Sequence, residues 1–277
     1  MPEVYNGHDY LPFLLKRWLE DDQRHCLIAL DGSRVVAFDS VFALDGGSTV
    51  ISQALRVDPA FQGRGVSHLL QNAVDDVVAK CQAVRFRVTT FVENTASLKI
   101  HLKRGFVQLP DLAFLGPFGA LAPVALRLEQ FRELAGDVAV GEVEGAVEKF
   151  PNVHTLLTDW VPFEPTAAGL AAVNRMFPFP VRFVTSASGS ISHFQLSRDA
   201  TELYASIYDA ADFWAHFAFH IGVAVKTKTV RYLAFHCLAS TCRELLSSQE
   251  SLLKEAFVRD DFNSGITEVV VLEKALV

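Results

Sequence analysis

The chain has 277 residues, half of them hydrophobic and 21% charged, with a formal net charge of −7. That composition excludes a disordered polypeptide, and its acidic balance leaves no broad basic footprint for nucleic acid. At about 150 residues per domain, the length suits one large domain or two modest ones.

Residues 9–20 place Tyr10, Phe13, Leu14 and Trp18 at helical spacing, with Lys16, Arg17 and Glu20 between them, and so predict an amphipathic helix. Three apolar runs follow, His25 to Leu30, Arg34 to Leu44 and Thr49 to Val57. The first two are closed by Asp31-Gly32 and Asp45-Gly46-Gly47, which is hairpin chemistry, so 25–57 reads as an antiparallel meander stopped by Pro59. From Val66 to Cys81 apolar residues recur every three or four positions, predicting a helix packed on one face. Val84 to Val92 is a β-branched strand, Asn94 to Arg104 a short helix stopped by Gly105, and Phe106 to Leu109 a strand before Pro110.

Gly116-Pro117-Phe118-Gly119 reads as a turn-forming boundary, dividing the chain into residues 1–118 and 119–277. Beyond it the pattern predicts helices over 121–135 and 142–150, then strands over 181–185, 191–197 and 202–207. A helix over 212–225, a strand over 230–238, a helix over 240–257 and a last strand over 267–272 complete the chain. The second half thus repeats the element order of the first: helix, three strands, helix, strand, helix, strand.

No apolar run reaches the ~18 residues of a membrane span, and the opening Met1-Pro-Glu-Val has no signal-peptide pattern, so a cytoplasmic protein with reduced cysteines is expected. Cys237 and Cys242 are five apart, and no His/Cys cluster has zinc-ligand spacing; no metal is expected. His216 and His220 share a helix face, but Phe213, Trp214, Phe217 and Phe219 around them favour aromatic core. Asp159-Trp160 reads first as a seam tryptophan beside a turn-capping aspartate, with a lid over a binding site from the second half as the alternative.

The most informative segment is Arg56-Val57-Asp58-Pro59-Ala60-Phe61-Gln62-Gly63-Arg64-Gly65-Val66-Ser67, a strand end, a glycine-rich loop and a helix start. Glycines admit a ligand close to the backbone, and the unpaired N–H groups of a first helical turn favour an anion such as pyrophosphate. Alone, it reads equally as a glycine turn and a helix cap. The next strand ends in Asn94-Thr95-Ala96-Ser97, with His101 and Gly105-Phe106 beyond.

Together, Gln62-x-x-Gly65-x-Ser67 and Asn94, Ser97, His101, Gly105-Phe106 resemble the two recurring motifs of the GCN5-related N-acetyltransferase (GNAT) superfamily. A wider set resembles the histidine N-acetyltransferase-like family: Tyr10-Leu11-Pro12, Trp18-Leu19-Glu20, Asp45-Gly46-Gly47, Leu55-Arg56-Val57, Gln62 to Val66 and Asp159-Trp160-x-Pro162-Phe163. The resemblance implies an α/β (α+β) fold of tandem GNAT-like domains, each a mixed, mostly antiparallel sheet flanked by helices, the first catalytic and the second degenerate. It implies that the family's first strand and helix are missing here, since eight residues precede the helix at 9–20, and that the run at 25–30 is then an unpaired sheet edge.

The resemblance further implies acetyl-CoA as co-substrate, bound between strands 53–57 and 84–92. The backbone of Leu55, Arg56 and Val57 would hold the pantetheine, and the loop Gln62, Gly63, Arg64, Gly65, Val66 and Ser67 the pyrophosphate, with Asn94 and Ser97 assisting. His101 takes the position of a tyrosine that protonates the departing thiolate, and an imidazole with an ordinary pKa can do so; the alternative is a partly buried helix histidine packed beside Phe106. Asp39, inside the apolar strand 35–41, is the best remaining acid, either a contact to the substrate amine or a structural partner; Gln53 cannot serve as a base but is a substrate-binding candidate, and Glu93 is the second choice, reading first as a solvated surface residue. The expected partner is a small-molecule amine such as the α-amine of L-histidine, attacked directly, with no nucleic acid or membrane and the oligomeric state open. A non-catalytic acyl-CoA-binding or protein-interaction module on the same fold is the alternative.

Overall fold

The computed structural model describes residues 9–121, 140–143, 155–197, 199–256 and 266–276. The first half runs α1 (Leu11–Glu20), β1 (Arg24–Asp31), β2 (Arg34–Leu44), β3 (Thr49–Val57), α2 (Val66–Val78), β4 (Arg85–Phe91), α3 (Thr95–Lys103) and β5 (Val107–Ala120). The second runs β6 (Val140–Val143), β7 (Leu156–Thr158), β8 (Val161–Phe163), α4 (Ala167–Met176), β9 (Arg182–Ser186), β10 (Ile191–Ser197), β11 (Glu202–Ile207) and α5 (Phe213–Lys226). It closes with β12 (Tyr232–Leu238), α6 (Ala239–Ser248), α7 (Glu250–Ala256) and β13 (Ile266–Ala275).

Eleven strands form one sheet in the order β1-β2-β3-β4-β13-β5-β12-β11-β10-β9-β6, and β7 and β8 make a separate hairpin. The order is a near mirror about the β13/β5 pair. Each half supplies an antiparallel meander (β1–β3, β9–β11) whose third strand pairs in parallel with the next (β4, β12). The closing strands are exchanged: β13 pairs with β4, and β5 pairs with β12. Among the described residues β1 pairs with β2 alone, and so lies at the sheet edge.

The 116–119 segment, expected as a turn, is strand, because β5 continues through both of its prolines. A proline lacks the N–H that a ladder uses. Pro110 falls between Gln108 and Ala113, where the ladder to β13 is interrupted, and Pro117 falls between Leu115 and Phe118, where the ladder to β12 skips. The expected division at 118/119 therefore lies inside a central strand. Residues 142 and 143, expected in a helix, belong to β6; the rest of that helix, and the one expected over 121–135 beyond Leu121, fall outside the described residues. The helix expected over 240–257 is broken at Gln249, whose φ of −119° separates α6 from α7.

Three apolar clusters hold the layers. On one sheet face Leu14 and Trp18 of α1, Phe38 and Phe42 of β2, Leu157 and Phe163 of the hairpin and Phe183 of β9 form one core that both halves share. Burying each such side chain contributes roughly 1.5–3 kcal/mol, so this seam is as cohesive as a domain interior. On the other face Val74 and Val78 of α2 pack on Val41, Val50 and Phe86, and α5 to α7 cover β11 and β12 around Phe213, Phe217 and Phe235. Polar contacts fix the seam: Arg85 pairs with Glu164, Arg87 Nε donates to Glu273 at 2.8 Å, and the Glu164 N–H donates to Asp45 Oδ1 at 2.8 Å. Gly169 in the first turn of α4 sits so close that a Cβ would stand 2.4 Å from the Glu164 carbonyl oxygen.

Candidate active site

β3 and β4 are paired only from Thr49–Ile51 to Arg85–Arg87. Beyond that the strands part. The cause is a bulge in β3: between Phe38↔Arg56 and Ser40↔Gln53, two residues of β3, Ala54 and Leu55, face one residue of β2, Asp39. Ala54 takes φ +76°, a conformation costly for an alanine, and Ser40 Oγ donates to the Gln53 carbonyl at 3.0 Å. Bent in this way, β3 leaves β4, and a cavity of about 1160 Å³ opens between them.

The second half supplies an internal control. Its equivalent strands, β11 and β12, stay paired over six residues, Glu202–Ile207 against Tyr232–Cys237, twice the paired length of β3 and β4.

Leu55, Arg56, Val57, Gln62, Gly63, Val66, Ser67, Asn94, Ser97 and His101 line the cavity, as does Gln53; Arg64 and Gly65 are exposed beside it. Gly65 caps α2 with φ +79°, and helical hydrogen bonding begins only with the N–H groups of His68 and Leu69, both donating to the Gly65 carbonyl. The amides from Gly63 to Ser67 thus precede the first helical bonds and are available to an anion. Asn94 caps α3 through Oδ1, which accepts from the Ser97 N–H at 3.2 Å. The Arg56 side chain turns to Asp9, with Nη1 2.6 and 2.7 Å from the two carboxylate oxygens.

For Asp39 and Glu93 the geometry favours the structural alternatives over direct catalytic or substrate contact, and for His101 over service as an acid. Asp39 is completely buried and does not line the cavity. Its carboxylate accepts from Ser52 Oγ at 3.0 Å, the Ser40 N–H at 2.8 Å and Gln71 Nε2 at 2.6 Å, so it cannot touch a substrate directly. Burial, only partly offset by those donors, pushes its pKa up to about 7. Its link to the cavity is Ser52, which is on the wall. Glu93 is exposed and away from the cavity, because the chain turns there toward α3. His101 does line the cavity, but burial and then the Arg104 guanidinium lower its pKa to about 4, so the ring is neutral near pH 7 and cannot serve as an imidazolium acid. Its ring stands edge-on to Phe106 at 5.1 Å.

Gln53 and Thr89 each lie two residues past the last β3/β4 pair, Ile51↔Arg87, and both line the cavity where the strands part. Gln53 Oε1 and Thr89 Oγ1 are both buried without a hydrogen-bond partner among the described residues. Such atoms are costly to leave unpaired, which marks this as a place for a donor.

Sequence reasoning missed most of the wall from the second half. Trp160, Glu202, Tyr204 and Tyr232 all line the cavity, so the segment at Asp159-Trp160 does reach it. The Asp159-Trp160 turn has φ +40° and +68°, the Asp159 carboxylate accepts from Ser197 Oγ at 3.2 Å, and the indole stands edge-on to Phe91 at 4.3 Å. The alternation of Glu202-Leu203-Tyr204 signalled a strand and nothing more.

Among the described residues no three His, Cys, Asp or Glu are grouped to hold a metal ion, and no helix is long and apolar enough to cross a membrane. His216 Nδ1 and His220 Nε2 each lie 2.8 Å from Ser192 Oγ, in the aromatic core.

Residues 2–106 match the model of the acetyltransferase (GNAT) family. Over 188 residues the chain is 29% identical to "Probable N-acetyltransferase 16" of Homo sapiens, covering 60% of this chain and 50% of that protein. Over 175 residues it is 30% identical to a histidine N-acetyltransferase of Xenopus tropicalis, covering 58% of this chain and 54% of that protein. The chain thus spans about half the length of these curated relatives. A solved structure from Thermoplasma acidophilum, itself provisionally assigned as an acetyltransferase, matches with TM-score 0.58 at 15% identity over 99% of this chain and 87% of that one. A tandem GNAT protein from the clavulanic acid biosynthesis pathway matches with TM-score 0.55 at 11% identity over 92% and 84%. These two likenesses show the fold alone.

Proposed function

From the match of residues 2–106 to the acetyltransferase (GNAT) family model, we propose that the protein transfers an acetyl group from acetyl-CoA to the amino group of a small molecule, of the class of a free amino acid such as L-histidine. One observation carries the reading: β3 and β4 part after three paired residues to open a cavity that ends at the glycine loop, while their counterparts β11 and β12 stay paired over six residues.

When bound, acetyl-CoA supplies the thioester that the amine attacks and the thiolate that leaves. The residues fit it. The backbone of Leu55 to Val57, without ladder partners on the β4 side, can hold an amide-bearing arm, and the amides from Gly63 to Ser67 can hold phosphate oxygens. At the strand opening, Gln53 Oε1 and Thr89 Oγ1 can accept N–H bonds from an amine and orient it. Ser52 can pass a proton along its hydrogen bond to Asp39, a carboxylate whose raised pKa suits a proton acceptor. Neutral His101 offers a ring N–H to a developing negative charge.

The test is release of free thiol from acetyl-CoA by the purified protein with each of the common amino acids, and mass spectrometry of the products. Amine-dependent release with an N-acetylated product is expected. Tight acetyl-CoA binding with no thiol release for any amine would point instead to a non-catalytic acyl-CoA-binding module.

A further inference from the structure

Three arginines are buried among the described residues, and two of them hold a carboxylate: Arg56 pairs with Asp9 and Arg87 with Glu273. Arg24, at the start of β1, has none at ion-pair distance among the described residues; Asp21 and Asp39 act on it only through the field. Its guanidinium carbon lies 3.9 Å from the ring centroid of Trp18 and 4.1 Å from that of Phe42. Aromatic faces compensate part of such a charge. Nε and Nη2 are buried with no hydrogen-bond partner among the described residues. An apolar side chain would fill the same slot without a buried charge, and replacements of that kind are often neutral or stabilising. What the arginine adds is one hydrogen bond, from Nη1 to Ser40 Oγ at 2.7 Å.

That bond sets a direction. A guanidinium only donates, so Ser40 Oγ accepts from Arg24 and keeps its own hydrogen for the Gln53 carbonyl at 3.0 Å. Gln53 immediately precedes Ala54, whose φ of +76° begins the bulge. The Ser40 N–H donates to Asp39 Oδ1 at 2.8 Å. Ser40 thus joins Arg24 and Asp39 to the bend from which Leu55, Arg56 and Val57 leave β4. In the second half, β10 and β11 pair in unbroken register, and no arginine of the described residues is buried there.

We propose that Arg24 is a positioning residue: it aims the Ser40 hydroxyl at the Gln53 carbonyl and so holds the β3 bulge in the bent form that opens the cleft to acetyl-CoA. This rests on the acetyl-CoA reading of the cleft, but the effect on the bend can be measured with no ligand present.

Arg24→Met keeps bulk between the two rings and removes the donor. Its melting temperature is expected within a few degrees of the wild type, whereas loss of a fold-stabilising group would lower it. Calorimetric titration should show acetyl-CoA bound roughly fivefold more weakly, the order of one hydrogen bond. Amide exchange over residues 53–57, followed by mass spectrometry, should be faster. Arg24→Lys, which retains the charge and a donor, should keep more of the affinity. Ser40→Ala should lose as much as Arg24→Met, and the double variant no more than either alone, because both act through one bond. If Arg24→Met melts far below the wild type, Ser40→Ala, which removes a single oxygen atom, decides by the same two measurements. Unchanged affinity and exchange in these variants, or losses that multiply in the double variant, overturn the assignment while acetyl-CoA binding stands. If the wild type binds no acetyl-CoA, the reading of the cleft fails and exchange alone decides: faster rates in both variants keep the role of Arg24 in the bend, and unchanged rates overturn it.

Discussion

Asp39 ties the chemistry of one side chain to the stability of the whole protein. Its folded pKa, about 7, lies above the ~4 of an unfolded aspartate, and burial is the cause. Between these values the folded state holds a proton that the unfolded chain has lost, so this residue makes the protein less stable as pH rises from ~4 to ~7. Below that window its contribution is fully present. Asparagine has the same shape and cannot ionise. The difference in melting temperature between wild type and Asp39→Asn should therefore shift in favour of the variant as pH rises from 5 to 8, by an amount equivalent to about 1–3 kcal/mol at ~1.4 kcal/mol per pKa unit. A pH-independent difference would mean that Asp39 is ionised throughout. His101 has the opposite sign: its folded pKa of about 4 lies below the ordinary 6.5, so its contribution is present above that value and lost on acidification toward 4.

The glycine loop and the start of α2 act as one element. Gly65 holds φ +79°, and a Cβ there meets nothing within 4 Å, so a side chain meets no neighbour and the cost is conformational, about 1 kcal/mol. Gly65→Glu is expected to lower the melting temperature by only a few degrees, yet to weaken acetyl-CoA binding at least tenfold in calorimetric titration, because it sets a negative charge beside the amides that would take phosphate. Undiminished affinity would move the phosphate site elsewhere. This loop was legible in the sequence because glycine spacing and helix periodicity are local signals, as were the two meanders. The hairpin β7/β8 was not: its strands have three residues each, and its turn places Asp159 and Trp160, neither a glycine nor an asparagine, in the left-handed region. Glu202 and Tyr204 gave no warning either, since alternation names a strand face and not what that face encloses. Asp39 stood out as a carboxylate in an apolar strand, but only the bulge and α2 show that it faces Gln71 and not the cavity.

At the level of the whole molecule, the exchange of closing strands makes each half depend on the other. Strand propensity predicted β5 and β13 but could not name their partners, because the pairing of Val269 with Phe91 is encoded far away in sequence. The fragment 1–121 has β5 but lacks β13, which leaves one side of β4 open. Expressed alone, it is expected to be insoluble or unfolded by circular dichroism, and co-expression with 122–277 should recover a complex that binds acetyl-CoA. A soluble, acetyl-CoA-binding 1–121 fragment would show that the exchange is dispensable and that the first half is a self-sufficient unit.

The same exchange imposes an order on biosynthesis. β13 leaves the ribosome after every other described element, so at about 5–20 residues per second β4 waits roughly ten seconds to half a minute for the neighbour that closes its open side. During that interval the strand that bounds the cleft is an unsaturated edge on a nascent chain. Closure of the β4 side of the cleft thus waits until translation has passed the second half.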